Sequence, residues 1–211
     1  MNILFIYAHM DDETILSYGT MRRFIRDGHA VRLLTACRGR ANTPQEKRLD
    51  AFGKIIGRLG INAVCGGFDD LSLTETAVKK LIGEQISEFR PELVVTHSVH
   101  DLHFEHRMLA NCVLLETRHT GAREIQKLWQ TASQVNSWTY GQFGNFNPNV
   151  FVDISEFMSE KLKAVSLYTG ELPADNLDNR SADAVMMWNR LHGCTTHVEF
   201  AEPYQQIFEK I

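Results

Sequence analysis

Residues 2 to 8 carry an unbroken apolar run, Ile3-Leu4-Phe5-Ile6-Tyr7-Ala8, that stops at His9-Met10-Asp11-Asp12-Glu13. A segment apolar at every position, not every second one, suits a strand covered on both faces, the situation of parallel sheets flanked by helices. The chain then repeats this unit. Ile15, Leu16, Met21, Phe24 and Ile25 recur at helical spacing after a cap at Asp11 or Asp12, and Asp27-Gly28 ends them. Ala30 to Ala36 reads as strand two, Gln45 to Leu59 as a helix ended by Gly60, and Ile61 to Cys65 as a short strand three. Gly66-Gly67-Phe68-Asp69-Asp70 breaks the chain, Thr74 to Phe89 is helical, Leu93 to Thr96 is strand four, and Phe104 to Glu116 is a further helix. Later, Trp138-Thr139-Tyr140 and Val150-Phe151-Val152 read as strands, Ser155 to Leu167 as an amphipathic helix, and 170 to 200 as loop plus short helix. This alternation predicts a Rossmann-like three-layer α/β fold with a mainly parallel sheet and right-handed crossovers.

The chain has 211 residues, 44% hydrophobic and 23% charged, enough apolar material for one folded domain over residues 1–211. No repeat or linker divides it. A net charge of −4 offers no general field for nucleic acid, although Arg38, Arg40, Lys47 and Arg48 suit an anionic substrate group. Cys37, Cys65, Cys112 and Cys194 are scattered without a Cys-x-x-Cys, as expected of reduced thiols in a cytoplasm. Cys37 and Cys65 lack the basic partner of a reactive thiolate and read as structural. No apolar run approaches the roughly 20 residues of a membrane span, so stable membrane insertion is not expected.

Of nine histidines, four stand at His97, His100, His103 and His106, interleaved with Asp101 and Glu105. Ligands of open α/β sheets bind beyond the carboxyl ends of the strands, where strand order reverses. If the order begins 3-2-1-4, the His9 to Glu13 segment and the His97 to His106 segment emerge side by side, with Arg38 and Asp69 or Asp70 on the rim. Imidazoles and carboxylates there predict a metal site at the C-terminal strand ends, with zinc or ferrous iron suited to such a set. His9, Asp12 and one histidine of the second cluster supply three ligands. Asp11 can take a proton from water, and a histidine paired with Asp101 can stabilise an oxyanion and protonate a leaving amine.

Ala8-His9-Met10-Asp11-Asp12-Glu13 resembles the Ala-His-Pro-Asp-Asp-Glu signature of the PIG-L/LmbE-like N-acetylglucosaminyl deacetylases, and Asp101-Leu102-His103-Phe104-Glu105-His106 resembles their Asp-x-His-Pro-Asp-His motif. Weaker similarity covers Arg48, Leu59-Gly60, Val152-Asp153-Ile154, Lys161 and Ala201-Glu202. The resemblance implies a metal-dependent hydrolase that removes acetyl from an N-acetylated amino sugar or glycoconjugate. It also implies His9, Asp12 and His106 as metal ligands, Asp11 as general base, and His103 as acid or oxyanion stabiliser oriented by Asp101 or Glu105. Arg48 and Glu105 fall on the substrate side. Met10 and Phe104 replace family prolines, and Glu105 replaces an aspartate. His97 and His100 lie outside the matched positions and read as strand-end hydrogen-bonding or pocket-wall residues.

Two other classes compete. A nucleotide-binding Rossmann protein would carry Gly-x-Gly-x-x-Gly after strand one, which is lacking here. A catalytically silent sugar- or nucleotide-sugar-binding protein would be expected to lack the base or a ligand. What the amino sugar is attached to carries no legible signature, and the sequence is compatible with a homo-oligomer.

Overall fold

The computed structural model describes residues 1–39, 45–118, 125–132, 145–169 and 180–210. The chain runs β1 (Asn2–Tyr7), α1 (Asp12–Arg26), β2 (Ala30–Gly39), α2 (Glu46–Leu59), β3 (Asn62–Asp69), α3 (Glu75–Phe89), β4 (Leu93–His97) and α4 (Phe104–Thr117). It continues through β5 (Lys127–Thr131), β6 (Val150–Asp153), a 3-10 turn (Ser155–Phe157), α5 (Met158–Thr169), α6 (Ala182–Thr195) and β7 (Ala201–Glu209). Among the described residues seven strands form one sheet in the order β3-β2-β1-β4-β5-β7-β6. Pairings are parallel from β3 to β5, and β7 pairs antiparallel with both β5 and β6.

β1 lies inside the sheet, and its alternate side chains serve two cores. Ile3, Phe5 and Tyr7 join Leu16 and Met21 of α1, Ile55 and Leu59 of α2, Val165 of α5 and Val185 of α6. Leu4 and Ile6 join Val78 and Ile82 of α3 and Leu109 and Val113 of α4. Successive strand side chains point to opposite faces, so a run apolar at every position buries both halves. This is the three-layer arrangement anticipated from the sequence, including the order 3-2-1-4.

Strand three departs from expectation, since β3 continues through Gly66-Gly67 to Asp69 instead of breaking at Cys65. Thr35 pairs with Cys65 and Cys37 with Phe68, so one extra residue is taken up on β3, a β-bulge. Gly67 adopts φ 75°, and a Cβ at Gly66 would meet Ala36 O at 2.8 Å; two glycines absorb the bulge without ending the strand. β5 and β7 are strands where the sequence pattern predicts none, and α6 is a full 14-residue helix in place of the short one predicted. Trp138-Thr139-Tyr140, residues 170–179 and Arg40 lie outside the described residues.

β7 also inserts an acid under α1. Glu202, fully buried, accepts hydrogen bonds from the backbone N–H of Gly19 (3.0 Å) and Thr20 (2.7 Å), from Lys161 Nζ (2.7 Å) and from Tyr204 OH (3.2 Å). Lys161 is itself wholly buried, so each charge depends on the other. Lys161→Met, which strands Glu202, is expected to lower unfolding free energy by about 3–5 kcal/mol in urea titrations, whereas Lys161→Met with Glu202→Gln should recover part of that loss. A Lys161→Met loss below about 1 kcal/mol would show that the pair does not hold α1 to β7.

Candidate metal centre

β1 and β4 pair in parallel from Ile3↔Leu93 to Ile6↔Thr96, so the segments leaving them start at the same edge. His9 lies just past β1, Asp12 opens α1, and His97 ends β4, followed by Asp101 and by His106 in the first turns of α4. His9 Nδ1, Asp12 Oδ2 and His106 Nε2 form a triangle with edges of 3.5, 3.5 and 3.1 Å. Two donors bound at about 2.0–2.1 Å in a tetrahedral site stand about 3.3 Å apart, so this triangle matches the face of a zinc-sized site before any adjustment.

The outer nitrogens of both histidines are held by carboxylates. His9 Nε2 meets Glu105 Oε2 at 2.9 Å, and His106 Nδ1 meets Asp101 Oδ2 at 3.0 Å. Such partners fix the tautomer and aim the inner nitrogen at a metal. Burial works against charge on both rings. Even so, Asp12 and Glu105 hold His9 up to about 10, and Asp12 and Asp101 raise His106. Asp12 lies well below the usual carboxylate range despite its burial, because His106 and His97 face it. The cluster thus favours positive charge at its centre.

Glu105 and Asp101 each hold a histidine other than His103. Glu105, read both as a substrate-side residue and as a partner that orients His103, is fully buried, and its second oxygen accepts the Leu71 N–H at 2.8 Å. Its longer arm reaches His9 from the far side of the ring. Asp101, read as the partner of the His103 ring, accepts the His103 backbone N–H at 2.8 Å and gives its other oxygen to His106. The His103 ring instead caps α4, its Nδ1 accepting the Glu105 N–H at 3.3 Å. Burial, His106 and His9 lower its proton affinity. A ring that accepts at Nδ1 carries its proton on Nε2, which leaves that N–H free to donate. Of the replaced prolines' positions, Phe104 opens α4, 61% exposed, and Met10 is buried.

Asp11 and Asp12 diverge because Asp11 has φ 136° and ψ −30°, outside the usual regions for a residue with a Cβ. Such backbone costs of order 1–3 kcal/mol and persists where neighbours over-determine it. Here the Asp11 N–H donates to Glu13 Oε2 at 3.0 Å, and its carbonyl accepts from Thr14 and Ile15, both at 3.0 Å. Arg48 Nη2 reaches Asp11 Oδ2 at 3.4 Å. Burial, then Asp12, push the Asp11 carboxyl up to about 6, against Arg48 and His9. Asp11 occupies the N-cap position of α1, yet its side chain makes no cap bond and is left for other work.

Glu13 has no role in the sequence reading, whereas His97 reads there as a strand-end hydrogen-bonding or pocket-wall residue. Glu13, fully buried and raised to about 7 by burial, also accepts from Thr14 Oγ1 at 2.9 Å and Tyr168 OH at 2.8 Å, bracing Asp11. Its signal was three consecutive acids, too many for a helix cap. His97 stacks on His106 with centroids 3.8 Å apart and accepts the Ala8 N–H on Nε2 at 3.0 Å. Burial and His106 press it down to about 4. The same Nε2 stands 3.3 Å from Asp12 Oδ2, and Asp12, His97 and His106 bring one donor atom each within 4.8 Å of one another. On the rim, Arg38 pairs with Asp69 at 3.0 Å, and the His100 N–H donates to Ser98 Oγ at 3.1 Å.

Fold and site together define a Rossmann-like α/β chain with a histidine–carboxylate centre at its topological switch point. The family model described as PIG-L, GlcNAc-PI de-N-acetylase, matches residues 4–115, and the chain belongs to that family. Among solved structures it resembles the conserved protein TT1542 from Thermus thermophilus, with TM-score 0.81 and 20% identity over 99% of this chain and 96% of that one. The N,N'-diacetylchitobiose deacetylase from Pyrococcus horikoshii superposes with TM-score 0.78 and 16% identity, covering 98% and 83%. GalB, the 4-carboxy-2-hydroxymuconate hydratase from Pseudomonas putida, superposes with TM-score 0.71 and 14% identity, covering 100% and 97%. At these identities the likeness concerns the fold, which deacetylases and a hydratase share.

If Glu105 aims His9, Glu105→Gln should lower the affinity for divalent metal about 10–100-fold while the circular dichroism spectrum is retained. Metal titration followed by calorimetry reads this directly, and unchanged affinity would remove Glu105 from the centre.

Proposed function

We propose that this chain is a metal-dependent deacetylase that hydrolyses the acetamide of an N-acetylated amino sugar or its conjugate. The observation that carries the reading is the triangle of His9, Asp12 and His106 beside a carboxyl, Asp11, turned away from it by its own backbone. Family membership and the deacetylases among the similar structures support the chemistry, and the donor set suits zinc or ferrous iron. When bound, a divalent metal there supplies Lewis acidity toward the acetyl carbonyl and activation of water at neutral pH.

The chain's own residues account for the remaining proton movements. Asp11 accepts a proton from the attacking water; its raised affinity for that proton and its contact with Arg48 suit it to hold and release it. His103, neutral and carrying its proton on Nε2, donates a hydrogen bond to the carbonyl oxygen as negative charge grows there. A neutral imidazole polarises a carbonyl without needing to be cationic at working pH. Collapse then breaks the carbon–nitrogen bond, the amine takes up the proton, and acetate and free amine leave. Arg48 steadies Asp11 and lies at the rim, where it contacts substrate. Glu105, Asp101 and His97 act through the ligand histidines as positioning residues.

A silent binding protein on the same fold would not need Asp11 in a strained backbone braced by the buried Glu13. Catalysis is therefore the favoured reading, and since a hydratase shares the fold, the site residues and not the fold distinguish the chemistry.

Metal-loaded protein should release amine from N-acetylated amino sugars but not from simple peptides. His106→Ala should lose metal and activity together. Asp11→Asn should lower kcat by roughly 10²–10⁴ with metal content near normal. Metal stoichiometry measured beside turnover separates these cases; full metal occupancy in His106→Ala, or unchanged turnover in Asp11→Asn, would show the roles to be misassigned.

A further inference from the structure

Carboxylates around the triangle exceed what one divalent cation balances. Asp12, Asp101 and Glu105 are engaged with the histidines, and Asp70 adds another just after β3. Its Oδ1 is buried and has no hydrogen-bond partner among the described residues. Its N–H donates to Gly39 O at 2.9 Å, which holds it beside the end of β2. Cys37 stands two residues earlier on β2 and is 0% exposed. The Cys37 N–H donates to Ala8 O at 2.8 Å, which fixes the thiol next to the residue preceding His9. One donor atom from each of His9, Cys37 and Asp70 lies within 4.8 Å of the others. The hydrolytic reading uses neither Cys37 nor Asp70.

We propose that Cys37, Asp70 and His9 form a second metal position, selective for soft divalent ions such as cadmium or excess zinc, whose occupation draws on His9 and inhibits the enzyme. The proposal rests on His9 being a ligand of the catalytic metal. Thiolate, imidazole and carboxylate together are a borderline-soft donor set, unlike the oxygen and nitrogen donors of the first position. At rest the thiol keeps its proton: burial pushes it up, and Glu105, Asp70 and Asp12 add to the effect. Coordination removes that proton, so one sulfur–metal bond forms as one sulfur–hydrogen bond breaks and the proton passes to solvent.

Spacing sets the order of filling. Mixed sulfur, nitrogen and oxygen donors of a tetrahedral ion stand about 3.3–3.8 Å apart, and the donor atoms of His9, Cys37 and Asp70 lie within 4.8 Å of one another. The first position, with edges of 3.1–3.5 Å, already has the spacing of a bound zinc-sized ion and fills first. His9 is shared, and Glu105 already holds its Nε2 at 2.9 Å. Engaging the second ion must therefore disturb either that bond or the aim of Nδ1.

The test is a Co²⁺ titration of the metal-free chain, followed by visible and near-ultraviolet absorption and, in parallel, by amine release. The first equivalent should give ligand-field bands without thiolate charge transfer and should activate. The second should bring a thiolate-to-cobalt charge-transfer band as activity falls. Cys37→Ser should keep first-equivalent activity, lose the band and need at least about tenfold more Co²⁺ or Cd²⁺ for inhibition, since losing a direct ligand costs no less than losing an outer partner. Asp70→Asn keeps the thiol and should likewise weaken inhibition, and Cys37→Ala serves if the serine variant does not fold. A thiolate band absent from wild type, present with the first equivalent or unchanged in Cys37→Ser would overturn the second position. A first equivalent that binds equally well to His106→Ala would instead sink the catalytic ligand assignment.

Discussion

The parallel pairing of β1 with β4 is the constraint on which the site depends. Their register from Ile3↔Leu93 to Ile6↔Thr96 brings the His9-to-Glu13 and Asp101-to-His106 segments to one edge of the sheet, although about ninety residues separate them. Apolar burial on both faces enforces that register, because a slip by one residue would exchange the side chains entering the two cores. Reversal of strand order then leaves a crevice between the two crossovers. The histidines meet there because the core leaves them no other place.

Within the crevice, electrostatics and backbone geometry reinforce one another. Carboxylates behind His9 and His106 aim the inner nitrogens and make the centre receptive to a cation. Asp11 is excluded from the triangle by an unusual backbone angle that Glu13, buried and bonded to Tyr168, holds in place. Two adjacent aspartates thereby acquire different environments. Asp12 is held ionised by imidazoles, whereas Asp11 is raised toward neutrality.

Farther from the chemistry, the antiparallel end of the sheet anchors the helix that carries Asp12. Glu202 of β7 bonds the backbone of α1 and is neutralised by Lys161 of α5. Displacement of α1 would move Asp12 relative to His106, so a buried ion pair outside the crevice helps set the edges of the triangle. Similar folds run both deacetylation and hydration, which agrees with a rigid frame that leaves chemistry to a few strand-end residues.

The sequence by itself determined the layered α/β fold, the leading strand order and which two segments meet at the sheet edge, because apolar periodicity and the two acid–histidine motifs are local signals. β5 and β7 carry no clear local signal: Lys127–Thr131 and Ala201–Glu209 mix polar and apolar residues, and long-range pairing, not local pattern, makes them strands. Partner choice inside the cluster was likewise decided by tertiary structure. Glu105 serves His9, Asp101 serves His106, and His103 caps a helix with its ring, assignments that turn on ångström distances between segments remote in sequence. Motif spacing says which groups can meet. Which oxygen faces which nitrogen depends on the packed backbone that carries them.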